Sequence, residues 1–527
     1  MRRRDFLKYT APATILPTIL NGFSVKAFGA SSMLNALGSA AKDNDHVLVM
    51  IQLTGGNDGL NMVIPLDIYG RYQAARSNIA IPEGKVLRLD NYRKAGLHPA
   101  MKGVQQLYNE GKACIIQSVG YPSPNFSHFR ATDIWLSGSD SNEVITSGWS
   151  GRYLETQYPD FPDNYPNADT PDPLAIQIGS IVSPAFQGSN ASMGIAITSA
   201  TDFYNLIDGV TDPAPNTKAG KELTYIRKIA QQANSYEKTI KSAAAKVTSQ
   251  GAYPADNSLA AQLKIVARLV AGGLKTRLYM VTAGGFDTHA SQTESGDTTK
   301  GGHAKLLGDV SDAIKAFMDD LKGLKSSRRV IGMTFSEFGR RIKSNYSMGT
   351  DHGAAAPMIL FGDYVNQGVL GNSPALPEVT AVADNIPMQY DFRSIYASLL
   401  EQWFCVDQDV LQSILQKDYQ RLPLVSGVAC GLITGLPELV PEDKFLITNN
   451  PNPFTSATNI TYVTGSGHTM IQIFDTMGRL VTVPVNKVHT PGTYTITFDA
   501  GYLPNGIYYA RFQNGAVQQV RPMLKVN

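Results

Sequence analysis

The chain is punctuated by runs that are apolar without alternation: "VLVMIQL" (47–53), "ACIIQSV" (113–119), "LAIQIG" (174–179), "RLYMVTA" (277–283), "RVIGMTF" (329–335) and "MILF" (358–361). A strand with one wet face alternates polar and apolar residues, so continuous runs call for parallel strands buried on both faces. Such a sheet needs helices on its two sides, and helical spacing is present between the runs. Leu307, Val310, Ile314, Phe317 and Leu321 form one stripe just before "RVIGMTF", and "DFRSIYASLLEQWF" opens with Asp391 as a plausible N-cap. A longer stripe, Leu223, Ile226, Ala230, Ala233, Tyr236, Ile240, Ala244 and Val247, marks either a cap over the sheet edge or a crossover. The expected class is α/β: a mostly parallel sheet flanked by helices over residues 46 to about 435.

Ligands of open α/β sheets bind beyond the C-terminal ends of the strands, so the residues after each run are the ones that matter. After "VLVMIQL" comes "TGGNDGLN" with Asn57 and Asp58; after "ACIIQSV" comes "GYPSPNFSHF" with Ser127 and His128. After "RLYMVTA" comes "GGFDTHA" with Asp287 and His289, after "RVIGMTF" comes "SEFGRR" with Glu337, and "GTDHG" supplies Asp351 and His352 before "AAAPMILFG". Glycines at these turns let short side chains approach one another. Mixed Asp, Glu and His donors suit a divalent metal, Zn, Mn, Fe, Mg or Ca, better than a sulfur-loving site. The alternative is that each acidic residue caps the next helix and each histidine satisfies buried carbonyls. Capping does not require histidine beside so many carboxylates.

Length and charge bound the rest. At 527 residues, 43% hydrophobic and 17% charged, the chain is long enough for two to four structural units. A formal net charge of +2 gives no electrostatic reason to expect nucleic acid or an anionic membrane as partner. The three cysteines, Cys114, Cys405 and Cys430, lie far apart in apolar surroundings. Buried thiols are therefore expected, not a disulfide framework.

The two ends have their own character. The start, "MRRRDFLKYTAPATILPTIL", joins a basic segment to an apolar run too short and too broken by proline to span a bilayer. Arg3, Arg4, Phe6, Leu7 and Lys8 resemble the twin-arginine export pattern, a basic helix start being the alternative. An export signal is assigned to residues 1–40 and the core domain to 41–435. After about Pro441 short alternating runs appear, "ITYV", "MIQIFDTMGRLV", "TYTITFDA" and "GIYYARFQNG", which indicate a small all-β sandwich over 441–527. "NPNPF", "IFDTMGRLV", "PGTY" and "LPNGIYYARF" in that order resemble the C-terminal sorting domain of the type IX secretion system. The resemblance implies secretion machinery as a partner and an extracellular or cell-surface destination. A carbohydrate-binding sandwich is the alternative for this end.

In the core, "IQLTGGNDGLNMVIP", "HPAM", "NFSHFRATDIW", "GWSGRY", "GGFDTHASQ", "FSEFGRRI" and "GTDHGAAAPM" resemble the bacterial domain of unknown function 1501 family, related to the alkaline phosphatase and sulfatase superfamily. The resemblance implies that Asp58 is an early metal ligand, Ser127 a nucleophile at a helix start, and Asp287, His289, Glu337 and His352 further ligands. Two departures stand out. Glu337 is followed by Phe338 where the superfamily commonly has an Asp-His pair, and the mid-chain pair is spaced Asp-x-His. A single metal is then as open as two.

Two functions fit. One is a secreted, metal-dependent hydrolase of anionic phosphate or sulfate esters, in which Ser127 attacks, His128 lies at the reacting group, and Arg340 clamps an oxyanion. The other is a catalytically silent binding or surface-assembly protein on the same fold. For Ser127 an ordinary N-cap explains the residue equally well.

Overall fold

In a computed structural model, residues 44–199, 236–428 and 447–526 are described, the last range with four short breaks, together with a two-residue strand pair at 19–20 and 23–24. The twin-arginine-like residues and the first part of the 223–247 helical stripe lie outside them. Where the stripe is described, Tyr236, Ile240 and Ala244 are buried as the spacing predicts. The chain divides into two units, Met1–Cys430 and Gly431–Asn527.

The central sheet of the first unit contains β1 (Val47–Leu53), β2 (Ala113–Gly120), β3 (Ala175–Ile178), β4 (Gly194–Ile197), β5 (Leu278–Ala283), β6 (Val330–Phe335), β7 (Ala356–Gly362) and β8 (Gly368–Leu370). Their order is β8-β2-β7-β6-β1-β5-β3-β4, with Tyr390–Asp391 also paired to β2. β1 is parallel to both neighbours: Met50 pairs with Met280 on one side and Met333 on the other. Every residue of β1, β2 and β6 is buried, which is why their sequences do not alternate. β7 is the exception to the parallel pattern, running antiparallel to β6 and to β2.

Helices cover both faces. Val47, Val49 and Ile51 point into a core shared with α1 (Lys102–Asn109), α4 (Ser258–Ala271) and α5 (Gly302–Gly323). Leu48 and Met50 point the other way, against α2 (His128–Ser137), α3 (Trp149–Gln157) and α6 (Phe392–Gln402). The predicted stripe Leu307, Val310, Ile314, Phe317, Leu321 is the buried side of α5. Asp391 caps α6 by accepting from the Arg393 N–H, as its sequence suggests. Cysteine is a correction. Cys114 is a buried free thiol pushed up to about 12 by burial, but Cys405 is disulfide-bonded.

The second unit consists of two antiparallel sheets, β9 (Ile447–Asn450), β10 (Ala457–Thr464) and β13 (Gly492–Asp499) in one, and β11 (Gly467–Phe474), β12 (Leu480–His489), β14 (Gly506–Asn514) and β15 (Val517–Lys525) in the other. Ile460, Tyr462, Ile471, Ile473, Ala510 and Phe512 from both sheets share one core, so alternate positions along each strand face inward.

Candidate metal centre

Four chain segments meet at one edge of the central sheet. The loops after β1, β5 and β6 bring Gly55, Asp287 with His289, and Glu337 with Arg340. α2 begins at His128, and Asp351 and His352 arrive just before β7. Because β7 runs against its neighbours, its beginning lies where theirs end. A residue before this strand therefore reaches the same edge as residues after the others.

Asp287 is the hub. Its Oδ1 lies 3.1 Å from His352 Nε2 and 3.0 Å from His289 Nε2, and its Oδ2 lies 3.5 Å from His128 Nε2. The His289 and His352 Nε2 atoms are themselves 2.9 Å apart. Each ring turns its other nitrogen to an oxygen. His352 Nδ1 is 2.9 Å from the Phe126 carbonyl, His128 Nδ1 is 3.0 Å from Glu337 Oε1, and His289 Nδ1 is 3.4 Å from Asp351 Oδ1. A cation in this place would need the hydrogen of each ring on Nδ1, which faces an oxygen that can only accept, leaving the Nε2 lone pairs free to turn to the ion. Donor atoms bonded to one ion at about 2.0–2.2 Å stand roughly 3 to 3.5 Å from each other, which is the spacing seen among these residues. His128, Asp287 and His352 offer ligand atoms all within 4.8 Å of one another. Two nitrogens and one oxygen, with no sulfur, suit Zn, Mn or Fe better than Mg or Ca, which favour all-oxygen shells.

Arg340 has a different task from the oxyanion clamp that the sequence suggested. Its guanidinium is fully buried and donates to the carbonyls of Gly56 (2.6 Å), Thr350 (2.8 Å), Phe286 (3.0 Å) and Gly55, and to Asp287 Oδ1 (2.6 Å). It knots three loops together and holds the Asp287 carboxylate in place, with no face left for a substrate. Burial by itself pushes the Asp287 carboxyl up, but hydrogen bonds from Arg340 and His352 and the charges of Arg340 and His289 outweigh it and bring it down to about 2.

Asp58 is the second correction. Both of its oxygens bind Arg76 Nη1, at 2.7 and 2.6 Å, and Oδ2 also accepts from Gln292 Nε2 at 2.5 Å. A carboxylate neutralised by a buried guanidinium is not available as an early metal ligand. Burial alone would raise the Asp58 carboxyl, but the Arg76 charge foremost, with that of His303 and the hydrogen bonds, lowers it. Ser127 stands at the N-cap of α2, exposed, and its hydroxyl makes no cap hydrogen bond. Phe338 packs its ring 5.0 Å from His128 and 4.5 Å from His352 between centroids.

Several contributors had no signal in the sequence. Asn345 Nδ2 donates to the His289 carbonyl at 2.9 Å and to Asp351 Oδ1 at 3.1 Å. The Phe126 carbonyl and Arg76 are equally unmarked, since nothing in their neighbourhood distinguishes them. Gly55 is legible in "TGGND". It sits at φ 120°, and a Cβ there would come 2.3 Å from the Asp287 backbone nitrogen, so only glycine lets the two loops touch.

Residues 450–525 match the secretion system C-terminal sorting domain, which marks the chain for export to the cell surface or beyond. No helix among the described residues is long and apolar enough to cross a membrane. No curated protein matches the chain. Among solved structures, PorZ, a surface component of the type IX secretion system of Porphyromonas gingivalis, is 17% identical over 15% of this chain and 11% of that one, with a TM-score of 0.13. The chain thus spans about a tenth of PorZ. A protein in the alkaline phosphatase superfamily from Vibrio parahaemolyticus is 11% identical over 94% of this chain and 90% of that one, with a TM-score of 0.32. A phosphonate monoester hydrolase from Silicibacter pomeroyi is 10% identical over 91% and 88%, with a TM-score of 0.26. Residues 46–421 match the family described as protein of unknown function (DUF1501), a span that takes in every segment of the Asp287 cluster. The chain belongs to the DUF1501 family.

Proposed function

We propose that this protein is a secreted hydrolase of phosphate or sulfate esters, built on one divalent cation held by His128, His352 and Asp287, with His289 beside them. The observation that supports it most is the convergence of three imidazole Nε2 atoms on one carboxylate, at 3.0 to 3.5 Å. A divalent cation there supplies a Lewis acid for the anionic end of an ester and offsets the charge that develops as the bond breaks. The protein's own groups do the rest. Arg340 fixes Asp287, the N–H groups at the start of α2 favour an anion, and the free Ser127 hydroxyl beside His128 is the candidate nucleophile.

Two observations favour a second reading. Phe338 fills with an aromatic ring the position where a further imidazole would extend the donor set, and Arg340 cannot reach a substrate. Both fit a binding or surface-assembly protein that has kept the fold and the cation without turnover. Metal analysis of the purified protein, followed by a panel of phosphate and sulfate esters, separates the two. One equivalent of metal with turnover supports the hydrolase, metal without turnover supports the binding protein, and no metal rejects the centre.

A further inference from the structure

We infer that Glu337 is a positioning residue for His128 and not itself a ligand, an assignment that rests on the cation centre proposed above. Its carboxylate is only 3% exposed and its Oε1 is already committed. That oxygen accepts the Gly55 N–H at 2.7 Å and lies 3.0 Å from His128 Nδ1. Its Oε2 is 3.4 Å from the Ser336 hydroxyl. The donors that come within mutual reach are His128, Asp287 and His352, without Glu337.

The chemistry of imidazole says what this arrangement does. A neutral ring has one N–H and one lone pair, and the carboxylate decides which nitrogen carries which. With hydrogen held on Nδ1 toward Glu337, the lone pair of His128 Nε2 is aimed at the Asp287 side of the cluster. The buried negative charge also makes the imidazole a stronger donor. Because the same oxygen holds the Gly55 N–H, and Gly55 lies against the backbone of Asp287, Glu337 sets the distance between His128 and the hub from both sides.

Asp351 supplies an internal comparison. Its carboxylate is half exposed, lies 3.4 Å from His289 Nδ1 and is shared with Asn345. The same kind of contact is longer and wetter there, so its loss has the smaller effect.

The test is zinc affinity of the full chain, measured against a competing chelator, with the thermal midpoint of the metal-free protein recorded for each variant. Glu337→Gln is expected to bind one zinc about 10 to 100 times more weakly than wild type. Asp351→Asn should fall less, and Asp287→Ala should lose stoichiometric binding. In a His128→Ala background, Glu337→Gln should change the affinity no further, because its effect runs through that ring. Should Glu337→Gln fail to fold, Glu337→Asp, which keeps the charge but draws back from His128, serves in the same comparison. An affinity within twofold of wild type overturns the positioning role. So does complete loss of stoichiometric zinc in a folded Glu337 variant, which would make it a ligand, or an undiminished effect without His128. Absence of zinc binding by wild type is a separate result that removes the centre itself and this role with it.

Discussion

Arg76 Nη1 and Asp58 Oδ2 stand 2.6 Å apart with neither side chain exposed to solvent, so the two charges have only each other and their hydrogen bonds to replace water. Arg76 also donates to the carbonyls of Ile342 and Arg341, tying the loop after β1 to the loop after β6. Removing one partner leaves the other charge stranded. Arg76→Ala should therefore lower unfolding free energy by about 3–5 kcal/mol in a denaturant titration. Metal content per folded molecule should be unchanged, since Asp58 lies outside the cluster. Loss of metal from the folded protein would restore Asp58 to the ligand set.

Two buried histidines near that pair set a pH dependence. Burial foremost, with the neighbouring His303 charge, lowers His98 to about 3. Burial foremost lowers His303 to about 4, against the opposing pull of Asp58. In the unfolded chain both titrate near the ordinary value of 6.5. The unfolded state thus binds protons that the folded state refuses, and stability present above about pH 6.5 is lost as pH falls toward 4. The thermal midpoint should decline through that window, and His303→Gln should flatten the decline. A flat profile in the wild type would show that these rings are not held neutral.

Much of the site could be read from strand ends alone. Asp287, His289, His128 and Glu337 follow apolar runs, and the rule that ligands gather beyond strand termini finds them without any structure. Asp58 follows such a run too, yet it belongs to a different cluster. What decides its fate is Arg76, 18 residues further on, and a guanidinium aimed at a carboxylate leaves no pattern in sequence. Arg340 was noticed for its charge, but its partners are mostly backbone carbonyls, which every residue has. The core helices were legible because the apolar spacing of α5 is both necessary and visible. The disulfide at Cys405 was not, because connectivity depends on three-dimensional proximity.

Ser127→Ala should abolish turnover of any ester that the wild type cleaves, with metal content intact. Its hydroxyl makes no cap hydrogen bond, so the loss of stability should stay at or below about 0.5 kcal/mol, the low end for an N-cap serine. Activity per folded molecule and thermal midpoint on the same preparation give both numbers. Full activity would take the serine out of the mechanism.

Gly55→Ala tests the contact between the loops. The new methyl would meet the Asp287 backbone, and the positive φ is itself unfavourable to alanine. Stability should fall by more than about 1 kcal/mol, and metal affinity should fall with it because the hub moves. Unchanged affinity in the folded fraction would mean that the cluster does not depend on this close approach.

Mass measurement of the secreted form checks the address. The mature protein should lack the sorting domain matched over residues 450–525. A secreted species that keeps those residues would show that export proceeds without their removal.

The reversed direction of β7 has one further consequence. The chain leaves the sheet at Phe335 and re-enters it at Ala356 on the same side. Everything between, including Glu337, Phe338, Arg340, Asn345, Asp351 and His352, is one uninterrupted excursion that never crosses to the far edge. Its length is not tied to the height of the sheet, and lengthening such a loop is entropically mild, about 0.6 kcal/mol for each doubling. The segment is thus an exchangeable cassette: His352 and the residues that position the other donors, Glu337 and Arg340, can be rewritten in a single stretch of chain while the strands beneath stay as they are.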